Sequence, residues 1–320
     1  MTPIFITLPK RLTYNSLYEI IRKFNFIFKI KDRGKPGYVL DLSKVLEVDI
    51  VGMLILYKFI EFAAENKCFE LPTILYEDDS PIHNHIEVYG FEELINTHIR
   101  NDARSNTVLN NLSIRNPTGF FIAPQALIRN NAQTKKKFDI EFKNELDKLY
   151  GHNATTFIES ILICAVEISS NFYNHAIDDT KSIILARGSK NFIEIACADT
   201  AKGLINTLKQ LEKYNNIKDL SLMKKAFEPE VTSKPSSNHM GYGLWLIKEI
   251  IRKYDGILDV YSSEMNFSIK HGREKIKKSP NWNGSIIYLK LPVVLSGIDI
   301  GDILRARRTK KETSLKINFS

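Results

Sequence analysis

At 320 residues, with 43% hydrophobic and 26% charged side chains, the composition excludes a disordered or fibrous polymer and leaves room for two globular domains, each with its own core. The net charge of +8 is carried by two segments, 270–278 at +4 and 304–320 at +5, so the remainder sits near −1 and the basicity belongs to an insertion and a tail rather than to a nucleic-acid-binding face. Three scattered cysteines (Cys68, Cys164, Cys197) make no CxxC pair or even framework, and no apolar run or N-terminal signal pattern reads as a membrane or export segment, so a reducing cytoplasm is expected.

Taken in order, Ile4-Phe5-Ile6-Thr7 reads as a short strand, and Leu12 to Phe28 as a helix with Leu17, Ile20, Ile21 and Phe24 on one side. Gly34, Pro36 and Gly37 break it before the strand Tyr38-Val39-Leu40-Asp41-Leu42. A helix from about Gly52 to Asn66, carrying Leu54, Ile55, Tyr57, Phe59 and Phe62, comes next. A strand at Leu71 to Tyr76 and a helix at Ile82 to Tyr89 continue the alternation, which predicts helices layered on a sheet.

Three runs in this half, Val39-Leu40-Asp41-Leu42-Ser43, Val48-Asp49-Ile50-Val51-Gly52-Met53-Leu54 and Tyr89-Gly90-Phe91-Glu92-Glu93-Leu94-Ile95, resemble the STAS domain of anti-sigma-factor antagonists over roughly residues 36 to 100. In that family the turn reads Asp-Ser-Ser-Gly, and a serine there accepts phosphate from a partner kinase. Here Ile50 and Val51 occupy both serine positions. The resemblance therefore implies an α/β docking or structural module without that phospho-switch.

Residues 101–118 are polar and turn-rich, and open a connector expected over 101–133. From Thr134 a helical pattern resumes with Phe138, Phe142, Leu146 and Leu149, ending at Gly151-His152-Asn153. The run from Thr155 to Ala176 is free of Pro and Gly and long enough for about six helical turns. Ile161, Ala165, Ile168 and Phe172 form its apolar stripe. Beside that stripe Glu167, Asn171 and His175 follow at i, i+4, i+8 and spread over only about 80°. A carboxylate, an amide and an imidazole in such a row are also what a solvated helix edge looks like.

Ser182 to Arg187 and Phe192 to Ala198 read as a strand pair joined by the turn Gly188-Ser189-Lys190-Asn191. Cys164 and Cys197 sit in apolar runs and read as packed thiols. At the end of the second strand, Asp199 offers an acceptor for an exocyclic amine such as that of adenine, and Gly203 lets backbone approach a ring; a plain Asp turn has the same pattern. Further on, Gly241-Tyr242-Gly243-Leu244 joins a loop to a helix, where unpaired amides and the positive dipole end suit phosphate, although Gly-x-Gly is also a common turn. Thr232, Ser233 and Lys234 lie on the turn-rich stretch before it, within reach of a triphosphate bound there.

Taken together, the polar helix, the strand pair ending in Asp-x-x-x-Gly, the Phe-Glu-Pro and Thr-Ser-Lys segment, Gly-x-Gly-Leu and the closing strand Gly284 to Pro292 resemble the GHKL ATPases. That superfamily includes gyrase, the MutL proteins, histidine kinases and anti-sigma serine kinases. The resemblance covers about residues 134 to 294. The two resemblances together imply a STAS-like α/β domain at 1–100, a linker at 101–133, an ATP-binding α/β sandwich at 134–295 with a mixed sheet and helices on one face, and a basic tail at 296–320. Carried over, Glu167 orients or deprotonates the attacking group and Asn171 holds Mg2+. Asp199 with Gly203 reads adenine, and Gly241, Gly243 and Leu244 close over the phosphates, with His175 inside the helix motif in an orienting role. One motif glycine is replaced by Ala201. The expectation is an ATP-binding regulatory protein that hydrolyses Mg-ATP or phosphorylates a protein partner; a non-catalytic ATP-gated interaction module is the alternative. The resemblance leaves homodimerisation open, and the two basic segments alone speak for a nucleic-acid partner.

Overall fold

The computed structural model describes residues 3–29, 37–65, 73–76, 119–128, 131–151, 154–175, 181–233, 241–294 and 297–306, and shows an α/β protein. In the N-terminal half β1 (Ile4–Thr7), β3 (Tyr38–Asp41) and β5 (Thr73–Leu75) form a parallel sheet in the order β1-β3-β5. A small parallel pair joins β2 (Arg11–Leu12) to β4 (Glu47–Val48). The helix expected from Leu12 to Phe28 is α1 (Leu17–Phe24), flanked by 3-10 turns at Tyr14–Ser16 and Asn25–Lys29. Its entry is held locally: Thr13 N–H donates to Ser16 Oγ at 3.0 Å, and that hydroxyl donates to Thr13 O at 2.9 Å. The expected helix at Ile82 to Tyr89 and the motif run Tyr89 to Ile95 lie outside the described residues.

Helix α2 (Ile50–Glu65) is apolar on all sides, and a helix of that kind has to be enclosed. Asp49 starts it: Oδ1 accepts from the amides of Val51 (3.1 Å) and Gly52 (2.9 Å), and Oδ2 from that of Tyr14 (2.8 Å). Ile50 and Val51, the two residues after Asp49, are fully buried. Inside the helix Lys58 and Glu61 pair with each other, and Tyr57 donates to Glu61 at 3.2 Å.

The C-terminal half carries β6 (Gly119–Ile128), α3 (Ala132–Tyr150), α4 (Thr155–His175), β7 (Lys181–Ser189) and β8 (Phe192–Ala198). Three short helices follow, α5 (Gly203–Lys209), α6 (Glu212–Asn215) and α7 (Asp219–Ala226), then α8 (Gly243–Lys253), β9 (Ile257–Lys270) and β10 (Arg273–Pro292). Its five strands lie in the order β6-β7-β8-β10-β9, and every neighbouring pair is antiparallel. The mixed sheet expected from the resemblance is thus corrected to an antiparallel one. A second correction concerns the connector. Its later part is β6, an edge strand paired to β7, so this half begins by Gly119. The basic insertion at 270–278 is the tip of the β9–β10 hairpin. There Lys270 pairs with Asp259 at 3.1 Å and Lys277 lies over the Tyr18 ring, so part of the charge is consumed internally.

Helices on one face alone is the third expectation to be revised, because both faces of this sheet are covered. Ile184, Ala186, Ile195, Cys197, Ile287 and Leu289 face the core shared with α3, α4 and α8. Alternate residues Ile183, Leu185, Ala196, Ala198, Ile286 and Tyr288 belong to a second core with α1 and α2. The physical reason is in the runs Ile183-Ile184-Leu185-Ala186 and Ile286-Ile287-Tyr288-Leu289: a strand without polar alternation has two faces to hide. The long helix is the other element that hides a large apolar surface. Thr155–Tyr173 has the length and hydropathy to cross a membrane, against the expectation that no segment would, yet in the fold its apolar stripe packs against the sheet.

Candidate functional site

The apolar stripe of α4 is buried as its spacing requires, with Ile161, Ala165, Ile168 and Phe172 in the core. That packing turns the adjacent edge, with Glu167, Ser170 and Asn171, toward a cavity. Helix α8 begins directly against this edge. A Cβ at Gly243 would stand 2.3 Å from Glu167 Oε2 and 3.7 Å from Asn171 Nδ2, so the backbone at the start of α8 lies directly against these two side chains. The Nδ2 of Asn171 is buried without a hydrogen-bond partner among the described residues. A buried amide in that state is costly, on the order of 1–3 kcal/mol. Rotation of the amide exchanges its nitrogen and oxygen, so the same arm presents a donor or an acceptor.

At the far end of β8 Asp199 is buried, and its Oδ1 accepts from the amides of Ala201 (2.8 Å) and Ser285 (3.3 Å). These bonds fix the plane of the carboxylate at the cavity wall. Gly203, with φ +77, opens α5 beneath it; a Cβ there would meet Gly284 O at 2.3 Å. Ala201 is buried, has no positive φ and does not line the cavity, so its methyl does not intrude on the space beside Asp199.

The loop before α8 completes the wall. Gly241 crosses Val231 so closely that a Cβ would lie 2.7 Å from the Val231 amide nitrogen, which brings Thr232 and Ser233 to the cavity beside Gly243 and Leu244. Tyr242 donates to Glu230 at 3.2 Å across the same loop. The resulting cavity is about 290 Å³, near the lower end of small-molecule sites, with an apolar part made by Leu204, Leu208, Val260 and Ile287.

The structure therefore gathers Glu167, Asn171, Asp199, Gly203, Thr232, Ser233, Gly241, Gly243 and Leu244 around one cavity. His175 ends α4; its side chain, like Lys234, lies outside the described residues. Ser170, Thr207 and Ser285 also line the cavity and were not read from the sequence. Ser170 had a local signal, one residue before Asn171. Ser285 had none, since only the register Ile286↔Ala198 brings it to Asp199. The amide of Leu204 donates to Ser285 Oγ at 3.1 Å, and Thr207 donates to Gly203 O at 2.7 Å, so both hydroxyls also brace the start of α5.

Among the described residues no three His, Cys, Asp or Glu side chains converge as a metal cage. No protein-family model matches the chain, and no curated protein matches it.

Proposed function

We propose that the C-terminal half is a GHKL-type domain that binds Mg-ATP in this cavity and transfers the terminal phosphoryl group to water or to a protein partner. The N-terminal STAS-like half is its regulatory module. The observation that carries this reading is the meeting of four segments, distant in sequence, at one cavity: the α4 edge, the Asp199 corner, the Thr232-Ser233 stretch and the Gly241–Leu244 loop. Each end of the cavity has its own chemistry. Asp199 presents a fixed carboxylate beside an apolar slot, which suits the amine edge and the faces of adenine. The start of α8, whose N-cap Tyr242 makes no side-chain cap bond and which presents the positive end of the helix dipole, suits phosphate.

Glu167 lies against the first residue of α8, where it would accept the proton of the attacking water or hydroxyl. Asn171 would hold the magnesium through Oδ1, with the amide rotated so that the oxygen takes the place of Nδ2 beside Gly243. A magnesium ion held by one protein oxygen, phosphates and waters does not require a carboxylate cage. Bound there, it would neutralise charge on the phosphate oxygens. Covering of the second sheet face by α1 and α2 supports a regulatory role exercised in cis, since the turn that carries phosphate in STAS proteins is buried in that contact.

The test is calorimetry of the full chain with ATP and GTP, with and without magnesium, beside a turnover assay on the same preparation. The reading expects magnesium-dependent ATP binding that Asp199→Asn weakens without weakening GTP. Absence of ATP binding by the wild type ends the proposal. Binding with no turnover, with or without a protein partner, leaves a nucleotide-gated interaction module in its place.

A further inference from the structure

Trp282 does not line the cavity, yet it holds the backbone of the residue on which base recognition would turn. Its indole Nε1–H donates to Asp199 O at 2.9 Å, and the side chain is fully buried. It reaches that carbonyl because β10 is irregular: the register against β9 shifts between Lys278 and Trp282 and again between Trp282 and Ser285. The shift leaves Ser285 bonded twice to Asp199, its carbonyl accepting the Asp199 amide at 3.0 Å and its own amide donating to Oδ1.

Gly284 lies between these two contacts at φ +103, and a Cβ there would stand 2.2 Å from Asp199 O. Ser263, paired with Trp282 across the hairpin, has φ +54. Backbone of this kind is strained and persists only where its surroundings hold it.

The other side of the indole faces the N-terminal half. Phe28 meets the Trp282 ring edge-on, with centroids 5.3 Å apart and planes at 83°. Phe28 in turn meets Phe62 of α2 at 4.9 Å and 69°. A continuous line of contact thus runs from α2 through Phe28 and Trp282 to the Asp199 carbonyl. It begins on the sheet face that the N-terminal half covers and ends at the cavity wall.

We propose that Trp282 is a positioning residue that sets the Asp199 carboxylate for recognition of the base, and that its contact with Phe28 makes base selectivity depend on the packing of the N-terminal half. The inference rests on the adenine-nucleotide reading of the cavity. Its effect belongs to the base and not to the phosphates, because the phosphate-binding loop is held by Val231 and α4 and has no part in this chain of contacts.

The test compares ATP and GTP affinities, by calorimetry on the full chain, for the wild type, Trp282→Phe and Phe28→Leu. Trp282→Phe keeps an aromatic ring and removes the donor. ATP affinity should fall about tenfold, the scale of one buried hydrogen bond, while GTP affinity stays constant. Phe28→Leu, which touches nothing at the cavity, should narrow the ATP-to-GTP ratio in the same direction by about two- to threefold. An unchanged ratio in Trp282→Phe, or an equal loss for both nucleotides, would show the residue to be merely structural. An unchanged ratio in Phe28→Leu would remove the dependence on the N-terminal half.

Should Trp282→Phe fail to fold, Trp245→Phe leaves Trp282 as the single indole, since the chain has two tryptophans. Its emission should then change with ATP and not with GTP, and no change with ATP overturns the proposal. A wild type that binds neither nucleotide overturns the cavity reading itself, and that failure is told apart by occurring before any substitution is made.

Discussion

The two faces of the five-stranded sheet treat their polar groups in opposite ways. On the face covered by α1 and α2, Glu194 is buried and amply partnered. It forms ion pairs with Arg187 and, at 3.0 Å, with Lys290, both on neighbouring strands, and accepts from Tyr288 at 2.7 Å. Burial pushes its carboxyl up, but Arg187, Lys290 and Tyr288 outweigh that and hold it below the usual carboxylate range. Tyr14 stacks on Tyr288 from the N-terminal half, at 5.2 Å and 14°, and closes the contact. On the helix face Asn171 Nδ2 has no such partner among the described residues, and Gly243 lies directly against it and Glu167. The first face satisfies its own charges as an internal joint does, whereas the second keeps an unsatisfied amide beside a cavity.

The largest effect that would break this contrast is in rate. Glu167→Gln should retain ATP binding and the fold while turnover falls by about 10²- to 10⁴-fold, the usual worth of a general base. Wild-type turnover surviving in the variant would assign the chemistry to another residue. Next comes Glu194→Ala, which strands Arg187 and Lys290 at the joint. Both can reach solvent in part, so the loss should be about 2–4 kcal/mol in urea unfolding, short of a fully enclosed pair. A change under about 0.5 kcal/mol would mean that the joint is held by apolar packing alone.

A pH experiment separates the faces further. Burial pushes the Asp49 carboxyl up to about 6, with Glu194 adding to the rise and the amides of Gly52 and Tyr14 opposing it. The folded chain then binds more protons than the unfolded one between about pH 4 and 6, so this group's contribution to stability falls as pH rises through that window and is level above it. Asp49→Asn removes the dependence. Between pH 7 and pH 4 the stability difference should move in favour of the wild type by on the order of 2 kcal/mol. A constant difference would show that Asp49 stays ionised at the joint. The smallest effect is expected at Asn171, where replacement by Ala should weaken magnesium-dependent ATP binding by about tenfold and leave metal-free binding alone. Equal losses with and without the metal would make Asn171 a contact to the nucleotide instead.

Much of the helix side was legible in the chain because its signals are local. A stretch without Pro or Gly, an apolar stripe at 4-3-4 spacing and a polar row beside it determine α4 and which of its edges escapes the core. The Asp199 to Gly203 turn and the two glycines before α8 are likewise short-range patterns. Strand β9 and the helices over 203–226 were harder to read, as was β6, whose Pro124 sits at an irregularity in its pairing with β7 and whose neighbourhood looks like a connector.

The sequence by itself determined the helices α1 to α4, the strands β1, β3, β7 and β8, the stripe that buries α4 and the residues it turns outward, since each depends on neighbours a few positions away. Even the cover over the second sheet face had a trace there, in strands that are apolar on both sides. Tertiary structure alone decided what provides that cover, which charges meet Glu194, and that Ser285 and Trp282 stand at Asp199. Those outcomes depend on strand register and on the β10 irregularity, and a shift of one residue exchanges every side chain between faces without altering the local pattern that precedes it.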